Sequence, residues 1–417
     1  MSGASQRLSP EKVPWLTAGP LERLLSVLDK DGEEARVVGG AVRNTLLGLP
    51  VGEIDLATTA VPDEVVRRAR KAGFNPVPTG IEHGTVTVVV DGKPFEVTTL
   101  RQDVETFGRH AKVSFGRDWK ADAERRDFTI NALFLKRDGE VIDFVGGLAD
   151  IGAKRVRFIG DPATRIAEDY LRALRFFRFF AGYADGAPDQ AGLSACIRAR
   201  DELERLSRER VRVEILKLME AKRAPETAAI MTDSGILDRV LGVPDLGALA
   251  RLAGIERTLK LPPDPVRRLG ALMVRTVDDA ARLRERLRLS NDEDRRLRSI
   301  GEAWRIGPGF GEAEARVLLY RVGADDYRDR VLVALVRSGA GNGETTAGDL
   351  VALPESWTPP KFPLAAKDFI AHGVEKGPAL GKALEAAEEA WIADGFPAAP
   401  DRIASIIQNA ITVARAG

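Results

Sequence analysis

The chain has 417 residues, too many for one compact core, and at about 150 residues per domain it divides into two to four. Hydrophobic residues make up 44% and charged residues 30%, and no apolar run approaches the roughly 18 to 20 residues that cross a bilayer, which excludes a membrane-embedded role. The 62 basic and 62 acidic residues cancel, yet this does not exclude a nucleic-acid partner, because affinity for phosphate depends on a local basic face.

The first residues, MSGASQRLSPEKVPWLTAGP, lack the basic stretch and apolar core of a secretory signal, so a cytoplasmic protein is expected. One cysteine, Cys196, cannot close an intramolecular disulfide, and His83, His110 and His372 are too scattered for a His/Cys zinc site. Chemistry is left to carboxylates, amides, arginines and the backbone.

From about Arg36 to Phe144 short β-rich runs alternate with turn signals: ARVVGG, EIDLAT, TVTVVV, PFEVTTL and LFLKRDGEVIDF. In the last of these, Asp138-Gly139 between two apolar stretches signals a compact hairpin. VRNTLLG and PDEVVRRARKAG carry helical periodicity between the strands. The segment reads as an α+β domain on one sheet. After about Asp150 the pattern is helices separated by polar loops. Asp161 ahead of Pro162, with Gly182 beyond the last periodic residue, predicts one helix near 162–181. Ser290 with Glu293 makes a capping box for another. The Gly-, Pro- and Thr-rich stretch from Ser338 to Pro363 reads as a linker or long loop before a helical tail. No internal repeat of fixed period is present.

Two constellations carry chemistry. In VVGGAVRNTLLGLPVGEIDLATT, Gly39-Gly40 lies between a strand and a helix, where backbone N–H groups can approach a phosphate, although two such glycines also make an ordinary tight turn. Glu53 and Asp55, two residues apart in a strand-like run, would point to one face. Glu96 would add a third carboxylate if its strand is adjacent. Such a cluster repels itself unless a cation neutralises it, and oxygen ligands suit Mg²⁺, although the pair can equally line a solvated sheet face. In the second, Arg125-Arg126-Asp127-Phe128-Thr129-Ile130-Asn131, the apolar residues can pack while Arg126, Asp127 and Asn131 supply a phosphate donor, a ribose-hydroxyl acceptor and an amide. Read alone, the Arg-Arg-Asp run is a surface ion pair.

Taken together with EDYLRALRFFRF, these motifs resemble the class II tRNA nucleotidyltransferases, the branch of the polymerase β-like superfamily that holds CCA-adding enzymes and bacterial poly(A) polymerases. The family's Gly-Gly turn, arginine and spaced carboxylate pair resemble Gly39, Gly40, Arg43, Glu53 and Asp55. RRDFTINAL is similar to the second family motif, VIDFVGGLADI to the segment joining head to neck, and EDYLRALRFFRF to the base-reading motif. The likeness runs in order from about Val37 to Arg178, with LRLSNDEDRRL and the segment from Gly377-Pro378 to Trp391 as weaker echoes. Two positions depart from the pattern. Glu53 stands where the first metal carboxylate is usually Asp, and Asn44 follows Arg43 where Asp is usual. Phe107 lies in what resembles a mobile loop, where an acidic or polar residue is expected.

Near 162–181, Glu168, Asp169 and Arg172 fall within one helical turn, which as a plain helix face is only a Glu168 to Arg172 pair. An acceptor-only carboxylate beside a donor-only guanidinium nevertheless matches the amino group and ring nitrogen that cytosine and adenine both present. Uracil and guanine present the reverse pattern. The resemblance implies this base-reading role for Asp169 and Arg172, with Arg175 as an additional base or phosphate contact.

The fold expected is α+β: a polymerase β-like nucleotidyltransferase head with one mixed sheet over 25–150, a helical neck that recognises the base over 151–222, a helical RNA-binding body over 223–337, and a linker with a helical RNA-binding tail over 338–417. The function expected is template-independent addition of CCA to the tRNA 3′ end from CTP and ATP. Glu53, Asp55 and Glu96 are the catalytic residues and Mg²⁺ sits on Glu53 and Asp55. Gly39, Gly40, Arg43, Arg126, Asp127, Asn131, Glu168, Asp169, Arg172 and Arg175 bind the nucleotide. Arg-rich segments such as RDELERLSRERVRVEILK and RTVDDAARLRERLRLSNDEDRRLR are candidate walls of an RNA groove or plain solvated helix faces. A poly(A) polymerase, a C-only or A-only enzyme, and a non-catalytic RNA-binding relative are the competing readings; a His-Asp phosphohydrolase domain is not expected with so few histidines.

Overall fold

Alternation along TVTVVV sends Val86, Val88 and Val90 inward, each at most 1% exposed, while the intervening residues stay partly open. The same logic makes strands of the other β-rich runs. In the computed structural model, which describes residues 4–17, 19–107, 110–303, 306, 310–338 and 345–416, the strands are Ala4–Arg7 (β1), Ala35–Val38 (β2), Asp55–Thr58 (β3), Asn75–Gly80 (β4), Thr85–Val90 (β5), Lys93–Thr99 (β6), Arg101–Phe107 (β7), His110–Phe115 (β8), Leu133–Leu135 (β9) and Glu140–Asp143 (β10). Eight of them form one mixed sheet in the order β1-β10-β9-β2-β3-β6-β5-β4, parallel only between β3 and β6, and β7 pairs with β8 separately. The hairpin at Asp138-Gly139 joins β9 to β10. Strands β1 and β4, which the sequence pattern passes over, are the two edges; β4 carries Pro76 and Pro78, tolerated where no further strand needs their N–H groups.

The chain separates into two compact units, Met1–Leu246 with Pro263–Pro265 and Arg286–Arg288, and the remainder. The helices of the first are Gly19–Leu28 (α1), Gly40–Leu46 (α2), Pro62–Lys71 (α3), Trp119–Glu124 (α4), Gly147–Gly152 (α5), Pro162–Glu168 (α6), Leu171–Tyr183 (α7), Gln190–Arg198 (α8), Arg208–Glu220 (α9), Ala224–Asp233 (α10) and Ile236–Val240 (α11). One face of the sheet packs Val37, Leu56, Val88, Val97 and Leu135 against Leu24, Leu25, Val42 and Val65 of α1, α2 and α3. The other face gathers Val38, Ala57, Leu100, Trp119, Phe134 and Ile159. The expected single helix over 162–181 is instead α6 and α7, broken at Asp169-Tyr170. Asp169 takes an extended conformation (φ −156°, ψ 105°), and its carboxylate accepts from the Leu171 N–H at 3.2 Å, a local side-chain bond that replaces helical continuation. Gly182 lies inside α7, which ends one residue later at Tyr183.

The second unit is helical: Leu246–Thr258 (α12), Pro265–Met273 (α13), Val277–Leu287 (α14), Asn291–Gly301 (α15), Glu312–Ser338 (α16), Thr345–Ser356 (α17), Ala366–Ile370 (α18), Pro378–Ala393 (α19) and Pro400–Ala416 (α20). The Ser290 capping box of α15 is formed in both directions. The stretch 338–363 is not all linker. Residues 339–344 lie outside the described residues, but α17 follows, because Val351 and Leu353 are buried and the Tyr327 hydroxyl donates to the Leu350 carbonyl at 2.7 Å. Several arginines offered above as groove walls are held by the unit's own acids: Arg295 by Asp326 (2.5 Å), Arg296 by Asp329 (2.7 Å) and Arg298 by Asp294 (2.9 Å). Among the described residues, no helix is long and apolar enough to cross a membrane.

Gly147, in the segment after β10, shows how closely the first unit is packed. A Cβ there would collide with the Thr129 carbonyl and lie 3.1 Å from Leu133 Cδ2, whereas one on Gly152, in the same helix, would meet nothing within 4 Å. Gly147→Ala should therefore cost about 1–3 kcal/mol in urea unfolding, and Gly152→Ala should be neutral or stabilising.

Candidate active site

The acidic corner is built by the single parallel pairing of the sheet. β3 and β6 run side by side with Asp55 opposite Glu96, so the third carboxylate is adjacent, as the sequence reading required. Glu53 is not in the strand. β2 ends at Val38, paired with Asp55, because the chain turns away at Gly39; the residues before Asp55 have no partner strand, and Glu53 lies in the exposed segment leading in. The same-face argument for Glu53 and Asp55 therefore does not apply. The two are nonetheless close: burial first, then the charges of Glu96 and Glu53, push the Asp55 carboxyl above its ordinary value, with Arg126 pulling the other way. Among the described residues no three His, Cys, Asp or Glu side chains converge as a ready metal cage. The donor set still fits a hard cation, since all its atoms are oxygens and the repulsion that raises Asp55 is what a cation would relieve.

Beside this corner lies the Gly39-Gly40 turn. Gly39 adopts φ 74° and ψ −121°, which only glycine tolerates readily, and a Cβ there would sit 4.0 Å from Arg126 Nη1. Its N–H donates to the Leu133 carbonyl at 3.2 Å, so the free backbone donors are those of the first turn of α2, beginning with Gly40. Arg43, on α2, is buried at 6% exposure. It donates to Asn131 Oδ1 (2.5 Å), to Asn44 Oδ1 (2.9 and 3.1 Å) and to the Tyr183 hydroxyl (2.8 Å), and its guanidinium lies 3.9 Å from the Tyr183 ring centre. Asn44 thus holds the arginine beside it with a neutral oxygen. The guanidinium's burial lowers its pKa, and Tyr183 opposes that shift.

In the second constellation, Phe128 is wholly buried against Phe158 (4.8 Å between ring centres) and Phe179 (5.1 Å), which pins the loop to α7. Asp122, only 1% exposed, holds the two arginines three and four residues after it, receiving Arg125 at 2.6 Å and Arg126 at 3.0 Å. Burial would raise this carboxyl, but Arg126 and Arg125 hold it below the ordinary range. Asp127 is also lowered against its burial, chiefly by Arg175, whose Nε and Nη2 reach Oδ2 at 2.8 and 2.5 Å. Its Oδ1 accepts from the Phe128 N–H (2.8 Å) and from Asn131 Nδ2 (3.2 Å).

The helix break places the third motif. Glu168 does not line the cleft. It accepts from Arg165 at 2.6 Å and from Arg172, whose Nη1 also donates to the Arg165 carbonyl at 2.7 Å. Arg165 in turn donates to the Arg125 and Arg126 carbonyls. Asp169 turns to the other side, where Arg210 of α9 meets Oδ2 at 2.5 Å. Arg175 is engaged with Asp127 and lies 3.7 Å from Glu214.

These elements enclose a cleft of ≈ 450 Å³ lined by Gly39, Gly40, Arg43, Asp55, Arg126, Asp127, Asn131, Asp169, Arg172 and Arg175 from the sequence reading, together with Arg125, Leu171, Phe179 and Arg210. Glu53, Glu96 and Glu168 stand outside that lining. Arg125 was within reach of sequence reasoning, as the first arginine of the run. Arg210 was not, because nothing at its own position in α9 announces a partner 41 residues earlier. The side chain of Phe107 lies outside the described residues.

Comparison with known proteins shows the family of the chain. Residues 35–157 match the Poly A polymerase head domain, and residues 189–249 match the probable RNA and SrmB-binding site of polymerase A. A mitochondrial CCA tRNA nucleotidyltransferase 1 from Mus musculus is 33% identical over 409 residues, covering 96% of this chain and 92% of that protein. The chain belongs to the class II tRNA nucleotidyltransferase family. A CCA-adding enzyme of Limosilactobacillus fermentum is 34% identical over 88% of this chain and 90% of its own length. The Bacillus stearothermophilus CCA-adding enzyme in complex with CTP superposes with a TM-score of 0.74 at 26% identity, covering 96% of this chain and 100% of that one. The family is metal-dependent. As a nucleotidyltransferase of this fold, the chain should depend on Asp122 to keep Arg125 and Arg126 aimed into the cleft. Asp122→Ala leaves two partly buried guanidinium groups without their carboxylate, and should lower unfolding stability by on the order of 3 kcal/mol and weaken nucleoside triphosphate binding, measured by urea titration and calorimetry.

Proposed function

We propose that this enzyme adds CCA to the 3′ end of tRNA without a template, using CTP and ATP. The observation that carries the reading is that Asp169 and Arg172, an acceptor and a donor, line the same cleft as Asp55 and the Gly39-Gly40 turn. One end of the cleft is suited to a base edge and the other to a triphosphate. The near full-length likeness to CCA-adding relatives supports CCA addition over poly(A) synthesis or addition of C or A alone.

Glu53 and Asp55 would hold Mg²⁺, with Glu96 as the neighbouring third carboxylate. When bound, the ion activates the attacking 3′-hydroxyl and stabilises the leaving pyrophosphate. The chain's own groups do the rest. The N–H groups at the start of α2, with Arg126, receive the phosphates; Arg43 stiffens that turn through Asn44, Asn131 and Tyr183. Asp127 would accept from the ribose by giving up one of the four N–H bonds it takes here, and Asn131 offers an amide. Asp169 accepts the exocyclic amino group of C or A while Arg172 donates to the ring nitrogen beside it, and Arg175 keeps Asp127 in place. Uracil or guanine would leave both residues facing like groups, which a site built on hydrogen bonds rejects strongly. We assign nucleotidyl transfer to 25–150, base recognition to 151–222 and RNA binding to 223–337 and 338–417. A cytoplasmic setting accompanies the tRNA substrate, although the murine relative is named as mitochondrial.

Asp55→Asn should abolish magnesium-dependent incorporation of CMP and AMP into tRNA while circular dichroism stays unchanged; retained turnover would remove the assignment. Asp169→Ala and Arg172→Ala should each collapse the preference for CTP and ATP over UTP and GTP. Glu96→Gln removes a charge that raises Asp55. Asp55 then stays ionised to lower pH, so the acid limb of the pH–rate profile should move to lower pH, whatever happens to the maximal rate.

A further inference from the structure

The base-reading pair is restrained from two sides. Arg172 is held from α6, by Glu168 and the Arg165 carbonyl. Asp169 is held from α9: its backbone bond to Leu171 N–H is long at 3.2 Å, and its strong contact is the 2.5 Å bond from Arg210 Nη2. Both partners are largely shielded, with side-chain exposures of 20% for Asp169 and 28% for Arg210, and both line the cleft. This is not a solvated helix-face pair, because the residues are 41 positions apart and belong to different elements.

We infer that Arg210 is a positioning residue that sets base selectivity by fixing the direction of the Asp169 carboxylate; the inference rests on the base-reading role proposed above. A carboxylate has about four acceptor positions, so accepting from Arg210 leaves Asp169 free to accept from an amino group. Discrimination between the two edge patterns depends on the spacing of one acceptor and one donor. The Arg172 N–H donates to the Asp169 carbonyl at 3.0 Å, which ties the two backbones, but Asp169 is extended at a break between helices, so the direction of its carboxylate is set by side-chain contacts. One turn further along α9, Glu214 pairs with Arg178 at 2.6 Å and lies 3.7 Å from Arg175, so the helix backs α7 at a second level. That second level is why removing Arg210 should free Asp169 without separating α7 from α9.

The test uses the full chain with tRNA transcripts lacking CCA and measures kcat/KM for CTP, ATP, UTP and GTP. The proteins are wild type, Arg210→Ala, Arg210→Lys, Asp169→Ala and the Arg210→Ala/Asp169→Ala double variant. Arg210→Ala should lower the ratio of CTP to UTP by about tenfold or more while KM for tRNA is unchanged, and Arg210→Lys should recover part of the ratio. The double variant should match Asp169→Ala alone, since Arg210 acts through Asp169. An unchanged ratio in Arg210→Ala, beside a collapsed one in Asp169→Ala, overturns the inference and leaves the base-reading assignment standing. Losses that multiply in the double variant also overturn it, because Arg210 then touches nucleotide or RNA itself. An unchanged ratio in Asp169→Ala removes the base-reading assignment and the inference together.

Discussion

The bond between Asp127 and Arg175 joins the two halves of the cleft. Asp127 belongs to the loop after α4; Arg175 belongs to α7, which also carries Arg172. Through Asn131 the same carboxylate reaches Arg43 on α2, and Arg43 returns to α7 at Tyr183, closing a ring of hydrogen bonds. A buried carboxylate without a partner is costly, and this one is satisfied by four N–H groups from Arg175, Asn131 and Phe128, which explains why it stays ionised against its burial. The ring holds the Gly39-Gly40 turn at a set distance from α7, the spacing that a nucleotide bound as proposed would have to match. Phe128 backs it with an apolar contact to Phe179, so polar and apolar terms point the same way.

The rest of the site follows from how charge is distributed. A chain with no net charge still concentrates Arg43, Arg125, Arg126, Arg172, Arg175 and Arg210 around one cleft. Most of these are held by a carboxylate behind them: Asp122 for Arg125 and Arg126, Glu168 for Arg172, Asp127 for Arg175, Asp169 for Arg210. Fixed in this way, the guanidinium groups lose little further freedom on meeting a triphosphate, which is what preorganisation requires. At the acidic end the balance is reversed: burial first, then the charges of Glu96 and Glu53, make Asp55 hold its proton more tightly than usual.

Much of this was legible in the sequence, and the parts that were not have physical causes. Strands β2, β3, β5, β6, β9 and β10 follow from β-branched runs bounded by turns, and the Asp55–Glu96 adjacency was anticipated conditionally. Edge strands β1 and β4 were missed because polar or proline-containing segments become strands only when a neighbour offers hydrogen bonds. The break at Asp169 was missed because periodicity continues through it; a side chain taking a long-range partner overrides local propensity. Glu53 was placed in a strand because alternation cannot tell where the partner strand stops. Of the cleft residues, the polar ones of the motifs were mostly found; Arg125, Leu171 and Phe179 lie in the same motifs but nothing local singles them out, and Arg210, outside them, owes its place to tertiary packing.

The central claim is that one cleft selects C and then A for a tRNA end. The most direct measurement supplies each single nucleotide, with Mg²⁺, to tRNA transcripts ending before CCA, after C and after CC. The account predicts addition of C to the first two, addition of one A to the third, and no addition of U or G. Addition of A runs to all three, or no addition to any, would contradict it.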